Sequence, residues 1–188
     1  MNKKYELTDE HITFGGIELH RIRALRDFGD IEAGELGGYV ESTRNLSAYG
    51  NTWVYDNAKV YGNARVFGDA KVWGDAEVYG NARVFGNAKV YDNAEVYGNA
   101  RVYGNAEVCS NAEVCSNADI LQITGLGSEH RTTTIYKTIN GDFQVICGCF
   151  RGDLEMFKAK ITETHGSSKF AQEYLAFVEV AKIYFGLK

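Results

Sequence analysis

The stretch that decides the fold is residues 58–120, which reads AKVYGN ARVFGD AKVWGD AEVYGN ARVFGN AKVYDN AEVYGN ARVYGN AEVCSN AEVCSN ADI. An alanine recurs at every sixth position from Ala58 to Ala118, and a valine, or finally Ile120, follows two residues later. A strict short period over this length is the signature of a repeat architecture. The chain is therefore predicted to be built from stacked copies of one small unit.

Each hexapeptide has the pattern of a very short strand followed by a corner. Ala-x-Val is the alternation of a strand, with two residues facing inward and the one between them facing outward, and it lacks the 3.6-residue period of a helix. The Gly-Asn, Gly-Asp, Asp-Asn and Ser-Asn pairs suit a corner because they tolerate left-handed backbone angles. Three hexapeptides make a triangular coil of 18 residues, and such coils stack into a parallel β-solenoid. A flattened two-sided coil of 12 residues is the alternative that the period leaves open.

The repeat resembles two known groups of proteins. Its Val-x-x-x-Ala-x pairing is similar to the hexapeptide repeat of left-handed β-helix acyltransferases and γ-class carbonic anhydrases, although this chain places Tyr, Phe or Trp directly after most of the valines. The VYGNA form more closely resembles a family of bacterial, phage and prophage proteins, some of them labelled acetyltransferase-like. The flanking segments that carry this second resemblance are LGGYVE (36–41), NLS (45–47), GNTWVYDNA (50–58), CGCFRG (147–152) and THG (164–166). The resemblance implies a left-handed coil and a phage or prophage origin.

Composition and charge narrow the classes of partner. The formal net charge is −5 over 188 residues, which is too mild to predict a nucleic-acid interface, so no nucleic-acid partner is expected. No signal peptide is visible, because Met1-Asn2-Lys3-Lys4 leads into polar residues rather than an apolar segment, and no apolar stretch reaches membrane length. The four cysteines lack metal or disulfide spacing. We therefore expect a protein of the bacterial host cytoplasm, with reduced thiols and no membrane contact.

Two small flanking units are predicted around the solenoid, which is placed at residues 46–127. The N-terminal unit, residues 1–45, is predicted to be β-rich, with a hairpin around Gly15-Gly16. The C-terminal unit, residues 128–188, is predicted to contain a second hairpin, around Asn140-Gly141, followed by two helices. Both units would cover coil ends whose unpaired strands otherwise invite end-to-end association. The predicted fold class is mainly β, with a small α+β unit at the C-terminus.

An 18-residue coil places residues 18 positions apart above one another on one of three outward faces. One face carries a ladder of arginines and aromatic rings, a second is mainly acidic, and a third mixes Trp53, Lys71, Lys89 and Glu107. The ladder and an aromatic stripe of the last helix are the predicted partner-binding surface, and its residues are Arg65, Arg83, Arg101, Phe67, Phe85, Tyr103, Phe170, Tyr174 and Phe177. The alternative is a solvated face with self-stacking rings, together with helices that only cap the solenoid.

The positions of the histidines argue against an enzyme. The four histidines are His11, His20, His130 and His165, so none lies within the repeats. By resemblance, an acyltransferase of this type would use a histidine base, and a γ-carbonic anhydrase would hold its metal with three histidines. Zinc requires three or four converging ligands, and the recurring glycines are corners rather than a phosphate-binding loop. No catalytic residue, metal site or cofactor is therefore predicted.

These observations predict a non-enzymatic phage or prophage accessory protein that binds a host or phage protein through its rigid solenoid surface and its C-terminal unit. Within that class an anti-defence inhibitor is the sharper hypothesis, and it rests on the family resemblance. Three alternatives stay open: a virion or assembly component, a self-assembling protein whose partner is a second copy of the chain, and an acyltransferase-like enzyme. Preformed strands that present ordered rows of side chains would lose little conformational entropy on docking.

Overall fold

The computed structural model describes residues 3–187. Met1 and Asn2, which belong to the predicted N-terminal unit, and Lys188 of the C-terminal unit lie outside the described residues. The N-terminal strands are β1 (Tyr5–Phe14), β2 (Ile17–Ala24) and β3 (Leu36–Val40). The solenoid strands are β4 (Trp53–Val54), β5 (Lys59–Val60), β6 (Arg65–Val66), β7 (Lys71–Val72), β8 (Glu77–Val78), β9 (Arg83–Val84), β10 (Lys89–Val90), β11 (Glu95–Val96), β12 (Arg101–Val102), β13 (Glu107–Val108) and β14 (Glu113–Val114). A short 3-10 helix (Asn117–Asp119) leads to β15 (Ile120–Leu126), β16 (Arg131–Lys137), β17 (Phe143–Cys147), β18 (Phe150–Gly152), α1 (Leu154–His165) and α2 (Lys169–Phe185).

The solenoid coils are triangular. On one side β6, β9 and β12 pair in parallel, with Arg65 opposite Arg83 and Arg83 opposite Arg101. The same 18-residue register joins β4, β7, β10 and β13 on the second side, and β5, β8, β11 and β14 on the third. The alanines and valines of the repeats from Ala58 to Val114 are buried in the interior between the three sides, whereas Ala118 is exposed and Ile120 is half-buried. The predicted triangular β-solenoid is therefore confirmed and the 12-residue coil is excluded, whereas the left hand of the coil stays a prediction.

The corners of the coils show why glycine recurs at every sixth residue. Gly68 has a φ of 76°, in the left-handed region, and a Cβ at this position would lie 2.9 Å from the backbone nitrogen of Gly86 in the next coil. Where an aspartate takes the corner, as at Asp92 with a φ of 58°, its carboxylate accepts a hydrogen bond from the N–H of Ser110 at 3.3 Å. Neighbouring coils are thus joined at their corners as well as along their strands.

The N-terminal strands extend one side of the solenoid. β1 and β2 form the predicted hairpin around Gly15-Gly16, β2 pairs antiparallel with β3, and β3 pairs in parallel with β5. The loop between β2 and β3 folds over the first coil, where the ring of Phe28 meets that of Trp53 edge-on with centroids 5.3 Å apart. Trp53 is consequently buried. Trp53 keeps the predicted outward register, opposite Lys71 on the next strand, but it is covered rather than exposed, because the repeat pattern does not show which segment outside it covers the first coil.

An antiparallel sheet in the order β15-β16-β17-β18 follows the other end of the solenoid, and the two helices contact this sheet. The predicted hairpin around Asn140-Gly141 is confirmed as β16 and β17. Asp153 caps α1 by accepting a hydrogen bond from the N–H of Met156 at 2.7 Å. β15 pairs with β16, so the parallel coils end at Val114 instead of continuing to residue 127. The aliphatic residues of β15 resemble a decaying repeat in sequence, but their neighbour in space is an antiparallel strand.

Candidate binding face

The strands β6, β9 and β12 carry the predicted arginine row. Each strand buries its valine inside the coil, so the residue before the valine points outward, and Arg65, Arg83 and Arg101 are exposed on adjacent strands. Parallel strands lie about 4.8 Å apart, so the three side chains start from one straight line across the coils. We call this side of the solenoid, with the aromatic residues that follow its valines, the arginine face.

A column of aromatic rings runs beside the arginines. Phe67 stacks on Phe85 with centroids 4.9 Å apart and an interplanar angle of 2°, and Phe85 stacks on Tyr103 at 5.4 Å. The rings therefore contact one another, and none of the cation–π contacts among the described residues involves the three arginines. Tyr103, at the end of the column, is 47% exposed. The arginine face thus presents parallel rows of guanidinium groups and ring edges.

The charged side chains on the other two faces are paired within the chain. On the acidic face, which consists of β5, β8, β11 and β14, Lys59 pairs with Glu77 at 3.5 Å. There Glu77, Glu95 and Glu113 also accept hydrogen bonds from the hydroxyls of Tyr61, Tyr79 and Tyr97, at 3.0, 2.9 and 2.6 Å. On the lysine face, which consists of β4, β7, β10 and β13, the pairs are Lys71 with Asp30 at 2.7 Å and Lys89 with Glu107 at 2.8 Å.

The arginine face differs from the acidic and lysine faces because its charged side chains have no partners in the described part of the chain. Within residues 3–187, the guanidinium groups of Arg65, Arg83 and Arg101 make no ion pair and no hydrogen bond. Like charges on neighbouring strands repel one another, so this row destabilises the free protein slightly. An anionic surface placed against it would remove the repulsion.

A groove of about 1060 Å³ opens at the N-terminal end of the arginine face. Its walls include Glu41 to Arg44 and Leu46 to Tyr49, together with Arg65, Phe67 and Arg83. Arg44 also lines it, and sequence analysis missed this residue because it lies before the strict repeat begins. The sequence signal that could have revealed the groove is the step of eight residues from Leu46 to Val54, which departs from the six-residue period of the repeats.

The C-terminal unit closes the other end of the arginine face. A second groove of about 440 Å³ is lined by Arg101, Tyr103, Leu121, Gln122 and Tyr184, among others. The hydroxyl of Tyr184 donates a hydrogen bond to the backbone oxygen of Asn117 at 2.7 Å. Helix α2 therefore contributes to the boundary of the arginine face.

The structure separates the C-terminal aromatic residues from this face. Phe170 is half-buried, and its ring meets that of His165 at 6.2 Å. Tyr174 and Phe177 are only 5% exposed and lie in the core between the helices and the sheet, so neither is accessible to a partner, which corrects the prediction for these two side chains. Their positions on α2 are explained by packing of the helix on β15 and β17. Among the strongly exposed apolar residues of α2 are Val180 and Ile183.

Cysteines and histidines lie mostly apart from one another. Cys109 and Cys147 are buried, and the thiol sulfur of Cys109 lies 3.3 Å from the hydroxyl oxygen of Tyr136, beneath the C-terminal sheet. His11 and His20 face each other on β1 and β2 with ring centroids 6.0 Å apart. Over residues 3–187, no three His, Cys, Asp or Glu side chains are grouped so that they could hold a metal ion.

In the same part of the chain, neither helix is long and apolar enough to cross a membrane.

Comparison with known proteins identifies the repeat. Residues 58–72, 76–92 and 94–110 match the YdcK beta-solenoid repeat, which covers about a quarter of the chain and lies entirely within the coils. No curated protein matches the sequence. The repeat match and the stacked triangular coils together show that this chain is a repeat-built β-solenoid protein, similar over its coils to the YdcK repeat family.

Proposed function

We propose that this protein is a non-enzymatic binding module whose arginine face docks on an acidic surface of another protein. The observation that carries the proposal is the contrast between the three faces. The ion pairs and tyrosine hydrogen bonds of the acidic and lysine faces engage their charged side chains, whereas Arg65, Arg83 and Arg101 have no partner among residues 3–187. A partner that supplies carboxylates would complete the pairing on the third face.

The geometry of the face suits a protein partner. Guanidinium groups bind carboxylates through two parallel hydrogen bonds, and arginine and aromatic residues are enriched at the centres of protein interfaces. Three adjacent strands place the arginines along a line about 10 Å long, which matches the scale of a small acidic patch. The three strands pair with one another, and β6 also bridges to Leu46, so the face need not reorganise to bind.

The biological setting belongs to the same proposal. The resemblance to phage and prophage proteins supports a phage-encoded accessory protein that acts in the bacterial cytoplasm on a host or phage protein, with inhibition of a host defence system as the specific role. Under the alternative of self-assembly, the partner is a second copy of the chain. Capture of bound proteins from a lysate distinguishes the two partners.

The test is capture of the partner and its dependence on the arginine face. The tagged protein is used to purify bound proteins from a bacterial lysate, ideally from infected cells, and the bound proteins are identified by mass spectrometry. The variant Arg65→Glu/Arg83→Glu/Arg101→Glu should lose the stoichiometric partner. A matched control, Lys158→Glu/Lys160→Glu/Lys169→Glu, makes the same change in net charge on the helices of the C-terminal unit, where Lys160 and Lys169 are exposed and Lys158 is half-buried, and should retain it.

The results of this capture experiment distinguish docking through the arginine face from self-assembly. Loss of capture in the arginine variant, with an unchanged melting temperature and with binding that weakens as salt rises, would support docking through this face. Equal capture by both triple variants would refute it. If only the chain itself is recovered, and light scattering shows concentration-dependent growth, the protein is a self-assembling component.

A further inference from the structure

The groove at the N-terminal end of the arginine face arises from a break in the repeat. The inward residues of the first coil are Val40, Leu46 and Val54, which pair with Val60, Val66 and Val72 of the coil above. The steps from Val40 to Leu46 and from Val54 to Val60 are six residues, as in the repeats, but Leu46 to Val54 is eight. Two extra residues therefore enlarge one corner, and the enlarged corner carries Tyr49, which is 74% exposed.

The enlarged corner is fixed from behind by buried groups. The ammonium of Lys4 donates hydrogen bonds to the backbone oxygens of Thr52 and Ser47 at 2.6 and 3.4 Å. The hydroxyl of Tyr5 donates to the backbone oxygen of Leu46 at 2.7 Å. On the outer side, the N–H of Asn51 donates to Asp69 at 2.9 Å. A loop held at so many points is a preformed wall rather than a slack insertion.

The segment before the enlarged corner, which contains Glu41 and Asn45, is also held by internal hydrogen bonds. The side-chain amide of Asn45 donates to the backbone oxygens of Gly62 and Ala64, each at 3.0 Å, and its oxygen accepts from the N–H of Ser42 at 2.9 Å. The carboxylate of Glu41, which also lines the groove, accepts from the N–H of Gly62 at 2.6 Å. The groups that shape the groove therefore have partners within the protein.

The arginines that line the same groove, in contrast, have no internal partners for their charged groups over residues 3–187. Arg44, Arg65 and Arg83 line it and are exposed, and in the part of the chain that the structure describes their guanidinium groups have no carboxylate partner. One carboxylate, that of Glu41, offsets only part of their charge. The aromatic rings of Tyr49 and Phe67 line the groove as well.

We propose that this groove binds a nucleoside phosphate, with guanidinium groups of Arg44, Arg65 and Arg83 holding the phosphate and with Tyr49 and Phe67 contacting the base. Guanidinium groups match the geometry of phosphate oxygens, and planar rings stack on nucleobases. The volume of about 1060 Å³ is at the upper end of sites for small organic ligands, so it is far larger than an inorganic phosphate requires. The ligand would cover Arg65 and Arg83 and thus compete with a protein docked on the arginine face.

Direct titration of the purified full-length protein tests this proposal without any protein partner, so its failure is independent of that of the proposed docking function. Isothermal titration calorimetry with each of the four ribonucleoside triphosphates should give binding at one site per chain for at least one of them. Adenosine and tripolyphosphate, each of which supplies half of the ligand chemistry, should both bind at least tenfold more weakly than that nucleotide. Arg44→Gln and Arg65→Gln should each weaken binding about tenfold or more.

The matched control is Arg101→Gln, which removes a guanidinium from the same face but outside the groove and should leave the affinity unchanged. Melting curves of all three variants establish that they are folded. The absence of binding by all four triphosphates at millimolar concentration would overturn the proposal. So would equal affinity for tripolyphosphate, which would show that the rings take no part, or an equal loss in Arg101→Gln, which would indicate attraction by the whole face.

Discussion

At the scale of single residues, Lys4 is the most unusual group in the chain. Its side chain is almost fully buried, its ammonium lies 4.4 Å from the centre of the Phe28 ring, and it donates to the oxygen of Thr52 at 2.6 Å. No carboxylate forms an ion pair with it within residues 3–187, although Asp69 attracts it from a distance. Burial first, and then repulsion from Arg26, lower the pKa of Lys4 to about 8. A buried lysine thus closes the first coil with its hydrogen bonds.

The lowered pKa predicts an unusual dependence of stability on pH. The folded state releases the proton of Lys4 near pH 8, whereas the unfolded chain keeps it until about pH 10.5, so this group makes folding more favourable as pH rises between those values. The gain between pH 7.5 and 9.5 should be about 2 kcal/mol. Urea unfolding across this range should give a more positive dependence of stability on pH for the natural protein than for Lys4→Met. The difference between the two isolates Lys4 from the tyrosines and Cys115, whose raised pKa values make folding of both proteins less favourable as pH rises. Lys3→Met, at an exposed neighbouring position, should keep the pH dependence, and a Lys4→Met curve with the same slope would contradict the prediction.

Individual burial was the property that the sequence predicted least reliably outside the repeats. The alanines and valines of the coils lie inside as their period required, because stacking of identical units determines their environment. Trp53 and Tyr174 do not lie on the surface as predicted, because segments distant in sequence cover them: the β2–β3 loop covers Trp53, and the C-terminal sheet and α1 cover Tyr174. No periodicity encodes such contacts.

At the scale of secondary-structure elements, the acidic face shows how stacked like charges are tolerated. Glu77, Glu95 and Glu113 follow one another in register, with Lys59 pairing only with the first. Each glutamate also accepts a hydrogen bond from a tyrosine of the preceding coil, and these tyrosine rings stack at 5.0 and 4.9 Å. Burial and then the bond to Glu95 raise the pKa of Tyr79. The aromatic column and the acidic row therefore stabilise each other.

This arrangement predicts that the hydroxyl of Tyr79 contributes to stability separately from its ring. Tyr79→Phe keeps the stacked ring but removes the donor at 2.9 Å from Glu95, so the free energy of unfolding should fall by about 1–2 kcal/mol. The matched control is Tyr103→Phe on the arginine face, where the hydroxyl makes no hydrogen bond within the described chain, and its effect should stay within about 0.5 kcal/mol. Urea titrations measure both. Equal losses in the two variants would mean that ring contacts, rather than the carboxylates, account for the effect.

The strands of the coils and their register were predictable from the sequence, whereas the strand pairing at the two ends of the solenoid was less so. The period determines the register of β6, β9 and β12, and with it the three arginines, because each coil has the same length. The enlarged corner between Leu46 and Val54 and the pairing of β15 with β16 depend on interactions outside the period. The groove was missed for the same reason, since it forms where the coil departs from the repeat.

At the scale of the whole molecule, the three sides of the solenoid give one protein three different surfaces. The net charge is −5, yet one side carries only cations at its outward strand positions. Net charge alone therefore conceals the candidate interface, whereas assignment of the residues to faces shows it. An acidic partner would be steered toward this side before contact, so the association rate should fall as salt rises.

The 18-residue register also limits which insertions and deletions in the chain preserve its surfaces. Deletion of residues 76–93 removes one whole coil, whereas deletion of residues 82–87 removes a third of one and turns everything downstream by a third of a turn. Both remove Arg83 and keep the Ala-x-Val and corner patterns, so both variants should fold in circular dichroism and melting experiments. Only the first leaves Arg65 beside Arg101, because the second places Arg101 above Glu77. The first should retain partial capture of the partner and the second none; the reverse result would contradict the assignment of the face. Duplication or loss in this protein can thus preserve its surfaces only in steps of a full coil, even though its core would accept any hexapeptide.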